Sequence, residues 1–147
     1  MKPIAKVCRD FIISALDHYD LPMGESAVQL LCMIAAHESG QFLYAKQIKG
    51  PALSPYQIEP PTFLDVCEYA QSRNYMAGEF PSAPERLLFD FRFATGIARV
   101  FFLRKPEPIP MAGRITELSI YAKRHWNTHL GKATPGMYQD AYEALFT

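Results

Sequence analysis

Glu38 is the residue best suited to acid–base chemistry, because of where it stands in the chain. A mostly apolar run from Ala27 to Ala36 precedes it, and Ser39 and Gly40 follow it. Burial at an apolar helix end penalises the carboxylate anion, so we expect this acid to keep its proton to a higher pH than usual. Such a group is a general acid, able to protonate a leaving oxygen. Position alone also fits an ordinary glutamate with its head in water.

A second segment strengthens the catalytic interpretation of Glu38. The letters A-H-E-S-G end at Gly40, and A-L-S-P-Y-Q-I-E-P-P-T runs from Ala52 to Thr62. Together they resemble the catalytic segments of soluble lytic transglycosylases and goose-type lysozymes, in which an E-S-G helix end precedes A-x-G-L-M-Q-I-x-P-x-T. Gln57 follows Glu38 by 19 positions, close to the family's separation.

The resemblance implies a role for each matching residue. Glu38 would be the single catalytic acid/base, Ser39 a polar neighbour in the substrate site, and Gln57 a groove residue that hydrogen-bonds the sugar. Tyr56 stands at the family's methionine and would pack on a sugar face. Trp126 and Asn127 resemble a third family element, Y-N-A-G, so that Asn127 would bind substrate and Trp126 would line the floor near Glu38; a core aromatic is an equal alternative for Trp126.

Some positions depart from the family pattern. Ser54 replaces a glycine, Pro55 replaces a leucine, and His129 stands where the third element ends in glycine. Arg99 occupies a position where the family often has a tyrosine, and we expect its charged group to face solvent.

The choice between transglycosylation and hydrolysis depends on a second carboxylate. Hydrolytic relatives often use one as nucleophile or base. Glu59 and Asp65 are nearest in sequence, but we expect Glu59 to face solvent and Asp65 to favour the first turn of a helix. The lack of an evident second acid favours transglycosylation over hydrolysis, and the resemblance then implies a lytic transglycosylase that cleaves the β-1,4 bond between N-acetylmuramic acid and N-acetylglucosamine and leaves an anhydro-sugar.

Helical periodicity covers most of the chain and predicts an all-α fold, which the resemblance makes lysozyme-like, in a single domain over residues 1–147. Residues 1–20 form an amphipathic helix that faces the core through a stripe of apolar residues: Ile4, Val7, Cys8, Phe11, Ile12, Ala15, Leu16 and Tyr19. A buried central helix follows Ser26, and others begin near Thr62, after Ser82, near Ile115 (ending near Trp126) and at Thr134-Pro135. Residues 41–61 form an irregular or short-stranded loop. We expect a cleft between that loop and the C-terminal helices.

Composition narrows the possible partners. Lys plus Arg and Asp plus Glu number 15 each, so no global field attracts nucleic acid, and no segment is apolar enough to span a membrane. The three cysteines, an odd number without CxxC spacing, fit buried thiols of a chain made in the cytoplasm. Without a signal-peptide pattern, we expect delivery to the wall as a phage virion component, through a lysis pore or by a secretion apparatus.

Other classes receive less support. His37-Glu38 begins a zincin H-E-x-x-H, but the next histidine position is Gln41, and His125 and His129 lack a third ligand. We therefore expect neither metal nor cofactor. An inactive lysozyme-like domain, acting as a structural or glycan-binding component of a virion or secretion apparatus, remains the alternative, because fold alone does not establish activity.

Overall fold

Seven α-helices and one π-helical turn make up the regular structure of the computed structural model, which describes residues 1–147. The predicted all-α fold is confirmed, and no helix is long and apolar enough to cross a membrane. The elements are α1 (Pro3–His18), α2 (Glu25–Glu38), α3 (Pro60–Ser72), α4 (Arg86–Phe89), α5 (Phe91–Leu103), α6 (Ile115–Ala122), the π-turn (Lys123–Asn127) and α7 (Pro135–Phe146).

Helix α2 is the central element of the fold. It packs against α1, α5, α6 and α7, and every side chain from Leu30 to Ala36 is buried. A helix that is apolar on all sides gains free energy only by being surrounded, which is why this run forms the centre of the core. Packing on all sides fixes the position of its last residue, Glu38.

Helix α1 lies on the core through a narrower stripe than its sequence predicts. Ala5, Cys8, Ile12, Ala15 and Leu16 are buried. By contrast, three apolar residues assigned to the same stripe remain about half exposed, namely Ile4 (47%), Val7 (46%) and Phe11 (57%). Helix α1 packs against α2, α5 and α7, and these contacts cover only part of an apolar surface this wide.

The helix predicted after Ser82 is interrupted at Asp90. Asp90 has φ −122° and ψ 88°, and its carboxylate accepts a hydrogen bond from Phe93 N at 3.0 Å. This arrangement is an N-cap, which aspartate favours, so α5 starts afresh after it. Arg86 of α4 donates to the same carboxylate at 3.1 Å.

The C-terminal segments follow the predictions in part. Helix α7 starts at Pro135, and Thr134 caps it by accepting from Met137 N at 3.3 Å. Helix α6 ends at Ala122, earlier than predicted, because the chain continues to Asn127 in a wider π-turn. Such turns insert an extra residue and redirect side chains, often at functional sites.

The loop over residues 41–61 contains no strand. Its only ladder-like pairs are two isolated bridges, Lys46 with Leu53 and Leu53 with Ile58. All three cysteines are free thiols: Cys8 and Cys32 are buried, and Cys67 is partly buried.

Candidate active site

The turn that follows α2 is held from inside the protein. Ser39 is fully buried; its hydroxyl donates to Ala35 O at 2.6 Å and accepts from Phe42 N at 2.7 Å. Gly40 has φ +61°, and a Cβ atom there would lie 2.8 Å from the Tyr44 ring. The prediction that Ser39 binds substrate is therefore wrong, because its hydroxyl is committed to the backbone. Ser39 instead fixes the turn that directs Glu38.

Glu38 is partly buried and has one strong hydrogen-bond partner. The Tyr138 hydroxyl of α7 donates to Glu38 Oε1 at 2.6 Å. Burial raises the pKa of Glu38, and the Tyr138 hydrogen bond opposes that rise by stabilising the anion. The carboxyl group therefore holds its proton more firmly than a solvated glutamate does.

Tyr138 is a site residue that sequence reasoning missed. It lies in α7, 100 positions after Glu38 in the chain. Its ring is buried and lies against the ring of His37, with centroids 4.2 Å apart. Burial and the neighbouring Glu38 charge raise the pKa of Tyr138 far above its ordinary value, so its phenol remains a donor. The only sequence signal is a buried tyrosine, whose hydroxyl needs a partner.

A groove of about 720 Å³ opens beside Glu38. The irregular loop and the start of α3 contribute one part of its lining, and the π-turn and the residues after it contribute another, where the sequence predicted C-terminal helices. The volume lies in the range of small-ligand sites. Its lining residues are Glu38, Tyr44, Gln47, Ile48, Ala52, Gln57, Ile58, Glu59, Thr62, Phe101, Trp126, Asn127, Thr128, Leu130 and Gly131.

Gln57 lies in this groove, as predicted, because the backbone before it takes an unusual course. Both Ser54 (φ +75°) and Gln57 (φ +54°) are in the left-handed region. The Gln57 side chain donates from Nε2 to Ser54 O at 2.8 Å, which orients its amide and leaves Oε1 without a protein donor. Ser54 stands where the family resemblance has a glycine, and its positive φ is the conformation that glycine adopts without strain.

Tyr56 does not reach the groove, and the prediction that it packs on a sugar is wrong. Its side chain is fully buried, its hydroxyl lies 2.8 Å from Thr95 Oγ1, and its ring stacks on Phe91 with centroids 5.5 Å apart. The turn between Ser54 and Gln57 points the tyrosine inward and the glutamine outward. Tyr56 therefore anchors the groove wall to α5.

Trp126 combines the two roles considered for it. Its indole packs against Phe101 and Phe102, with ring centroids 4.7 and 5.5 Å away, yet it also lines the groove. Its Nε1 donates to Tyr56 O at 3.2 Å. The tryptophan thus joins the two walls of the groove and exposes an aromatic surface to it.

Asn127 lines the groove beside Trp126, and hydrogen bonds from Lys123 hold it and the residues after it in place. Lys123 Nζ donates to Asn127 Oδ1 at 2.6 Å, and also to Thr128 O and Gly131 O. With Oδ1 occupied by this ammonium group, the amide NH2 is the remaining hydrogen-bonding part of Asn127, and it also lies beside the Tyr138 hydroxyl, where it opposes the rise in the pKa of Tyr138.

A second carboxylate, Glu59, lines the same groove. As predicted, its side chain is exposed, and Asp65 is exposed outside the groove. The prediction that Arg99 faces solvent is wrong. Its side chain is only 7% exposed, and its Nε donates to Pro22 O at 2.7 Å. No group of three or more His, Cys, Asp or Glu side chains is placed to hold a metal ion.

Taken together, the groove presents a carboxylic acid with a raised pKa beside amide groups and an aromatic surface. These groups can protonate a ligand atom, hydrogen-bond polar ligand groups and pack against an apolar ligand face. Comparison with known proteins adds no assignment: no family model, no curated protein and no solved structure matches this chain.

Proposed function

We propose that this protein is a peptidoglycan lytic transglycosylase in which Glu38 is the only catalytic residue. One observation supports this most: the Glu38 carboxyl group has a pKa raised by burial and lines a groove of about 720 Å³. A proton donor beside a groove with polar lining residues is what glycosidic cleavage requires. The resemblance of the Glu38 and Gln57 segments to the transglycosylase family supplies the reaction class.

In the first step, Glu38 protonates the oxygen that bridges N-acetylmuramic acid and N-acetylglucosamine, and the bond from that oxygen to C1 breaks. The substrate's own N-acetyl oxygen bonds to C1 from the opposite face as that bond breaks, and the positive charge that results is shared over the acetamido group. Tyr138 donates to the newly formed Glu38 carboxylate, so the anion is not left unpaired in a partly buried place.

In the second step, the Glu38 carboxylate removes the proton from the 6-hydroxyl of the same muramic acid. The 6-oxygen bonds to C1, the N-acetyl oxygen leaves C1, and a 1,6-anhydro sugar results. Glu38 is again protonated, so atoms and charge balance without water. Burial favours this cycle because each step begins or ends with a neutral carboxylic acid.

Three other residues would bind the glycan. The free Oε1 of Gln57 accepts from a sugar hydroxyl or amide, and the Asn127 NH2 donates to a sugar oxygen. The exposed face of Trp126 packs on the apolar side of a pyranose ring.

Release of soluble fragments from purified peptidoglycan tests the proposal. We expect Glu38→Gln to lower the release rate by about 10²- to 10⁴-fold, the usual contribution of a general acid. Glu59→Gln is the matched control, because it removes a carboxylate from the same groove. Wild-type protein that sediments with peptidoglycan but releases nothing would instead indicate a binding component.

Hydrolysis is the second candidate, and the position of Glu59 is the observation that favours it. A second carboxylate that lines the same groove as the acid can activate a water molecule. Under hydrolysis with Glu59 as the base, Glu59→Gln abolishes release as fully as Glu38→Gln does. Under the transglycosylase proposal, Glu59→Gln keeps release within a few-fold of wild type.

A further inference from the structure

The N-terminus of α2, at the end opposite Glu38, has unused hydrogen-bond donors. Gly24 is the N-cap residue and has no side chain to accept from the first turn. The backbone amides of Glu25 and Ser26 donate to no protein group. Free amides at the start of a helix, together with the helix dipole, favour an anion.

Arg99 is the second, independent feature of this place. Its side chain is only 7% exposed, and its Nε donates to Pro22 O, two residues before the N-cap. Neither terminal guanidinium nitrogen has a protein partner, and no carboxylate is paired with it. A buried cation without a counter-ion is costly, and here burial lowers the pKa of Arg99.

Both features open into one cavity of about 320 Å³, lined by Gly24, Ser26 and Arg99. Lys105 adds a further positive charge to its lining. The carboxylate that lines it, Glu107, is already engaged by Arg124 and His125, each at 2.5 Å. Lys105 lies over the Phe101 ring, 4.9 Å from its centroid, and neither it nor Arg99 is paired with a carboxylate, so two cations face one carboxylate that is already paired.

We propose that this cavity, lined by Gly24, Ser26, Arg99 and Lys105, is a binding site for a phosphate group. Unpaired helix amides of α2 and the two terminal nitrogens of Arg99 on α5 supply donors from two elements, and the guanidinium charge matches that of a phosphate oxyanion. The site is separate from the groove: α2 has 14 residues, which at about 1.5 Å per residue puts the two about 20 Å apart.

The phosphate is either a free ion or the end of a small monoester. The same cavity has an apolar side formed by Phe102, Leu103 and Ile109, which a free phosphate leaves uncovered. Glycerol 1-phosphate and inorganic phosphate distinguish the two sources. If the natural ligand is a monoester, the protein binds glycerol 1-phosphate more tightly than inorganic phosphate. If it is the free ion, the two affinities are equal.

Titration of the whole ¹⁵N-labelled chain with inorganic phosphate, at constant ionic strength set by sodium chloride, tests the site. We expect saturable shifts of the Glu25 and Ser26 amide resonances. Absence of these shifts, or shifts that never saturate, overturns the proposal.

A pair of variants at Gly24 makes the test specific. A Cβ atom at Gly24 meets nothing within 4 Å, and its φ is −58°, so both variants fit the fold. Gly24→Asp places its own carboxylate on the free amides, and phosphate affinity falls at least about tenfold. Gly24→Ala leaves the amides free and keeps the affinity. Equal affinity in both variants contradicts the proposal.

Arg99→Met removes the guanidinium group and keeps an apolar stem of similar length. We expect it to abolish the saturable shifts. Should this variant fail to fold, the Gly24 pair still decides the question, because neither of those changes touches the core.

Discussion

Replacing Tyr138 with phenylalanine isolates the one hydrogen bond that the protein makes to Glu38. The change removes only the hydroxyl that donates to Glu38 Oε1 at 2.6 Å. That bond stabilises the anion and so lowers the pKa of Glu38 against the rise caused by burial. Without it, the pKa of Glu38 rises further.

The size of the effect follows from the bond's geometry and surroundings. Tyr138 is fully buried and Glu38 partly so, and a hydrogen bond to a charged group contributes about 1.5–3 kcal/mol. Since about 1.4 kcal/mol displaces a titration midpoint by one pH unit, the Glu38 carboxyl signal of Tyr138→Phe should titrate about one pH unit or more above that of wild type. Carbon-13 NMR of glutamate carboxyl groups measures both midpoints.

Stability against pH checks the same interaction independently. The pKa of Glu38 is raised in the folded protein. Glu38 therefore does not lower the free energy of unfolding at a pH below its pKa in the unfolded chain. As pH rises through its pKa in the folded protein, the free energy of unfolding falls progressively. Tyr138→Phe raises the pKa of Glu38 in the folded protein further, so the free energy of unfolding falls over a wider pH range and by a larger amount. Its destabilisation in urea should therefore be smallest below about pH 4 and grow towards neutral pH.

Tyr142→Phe is the matched control, because Tyr142 lies one turn further along α7, stacks on Phe146 and has no hydrogen-bond partner. It should leave the Glu38 titration unchanged. A Glu38 midpoint in Tyr138→Phe that equals or falls below that of wild type would show that Tyr138 does not stabilise the Glu38 carboxylate.

Three further changes test the site and its support. Glu38→Gln should raise the free energy of unfolding at neutral pH and leave it unchanged below about pH 4, because it removes an anion that burial penalises; urea denaturation at both pH values measures this. Gly40→Ala should destabilise by about 1 kcal/mol or more, because φ is +61° and the added Cβ meets Tyr44; the urea midpoint reports it. Ser54→Gly should change stability by less than about 1 kcal/mol, since relief at φ +75° offsets loss of the bond from Tyr56 N to Ser54 Oγ; Ser54→Val, which keeps the strain and loses the bond, should be clearly less stable.

The central helix and its carboxylate could be predicted from the sequence because the signals are local. An apolar run of helical length has to be surrounded, and a glutamate at its end is therefore near the core. Gly40 supplies the left-handed residue that the turn needs. Each of these conclusions depends on neighbours within one or two helical turns.

Contacts between distant segments could not be predicted in the same way. Tyr138 reaches Glu38 across 100 positions, and Arg99 reaches Pro22 across 77. Neither partner leaves a pattern near the other in the chain. Tyr56 and Gln57 could not be told apart for a different reason. Positive φ at Ser54 and Gln57 decides which of the two side chains faces the groove. Serine and glutamine rarely adopt that conformation, so the sequence does not predict it.

The mass of the fragments released from purified peptidoglycan tests the central proposal most directly. If Glu38 acts alone with the substrate's 6-hydroxyl, the wild-type protein releases fragments that end in 1,6-anhydro-N-acetylmuramic acid, and Glu38→Gln releases almost none. Fragments with reducing ends, or equal release by wild type and Glu38→Gln, would contradict it.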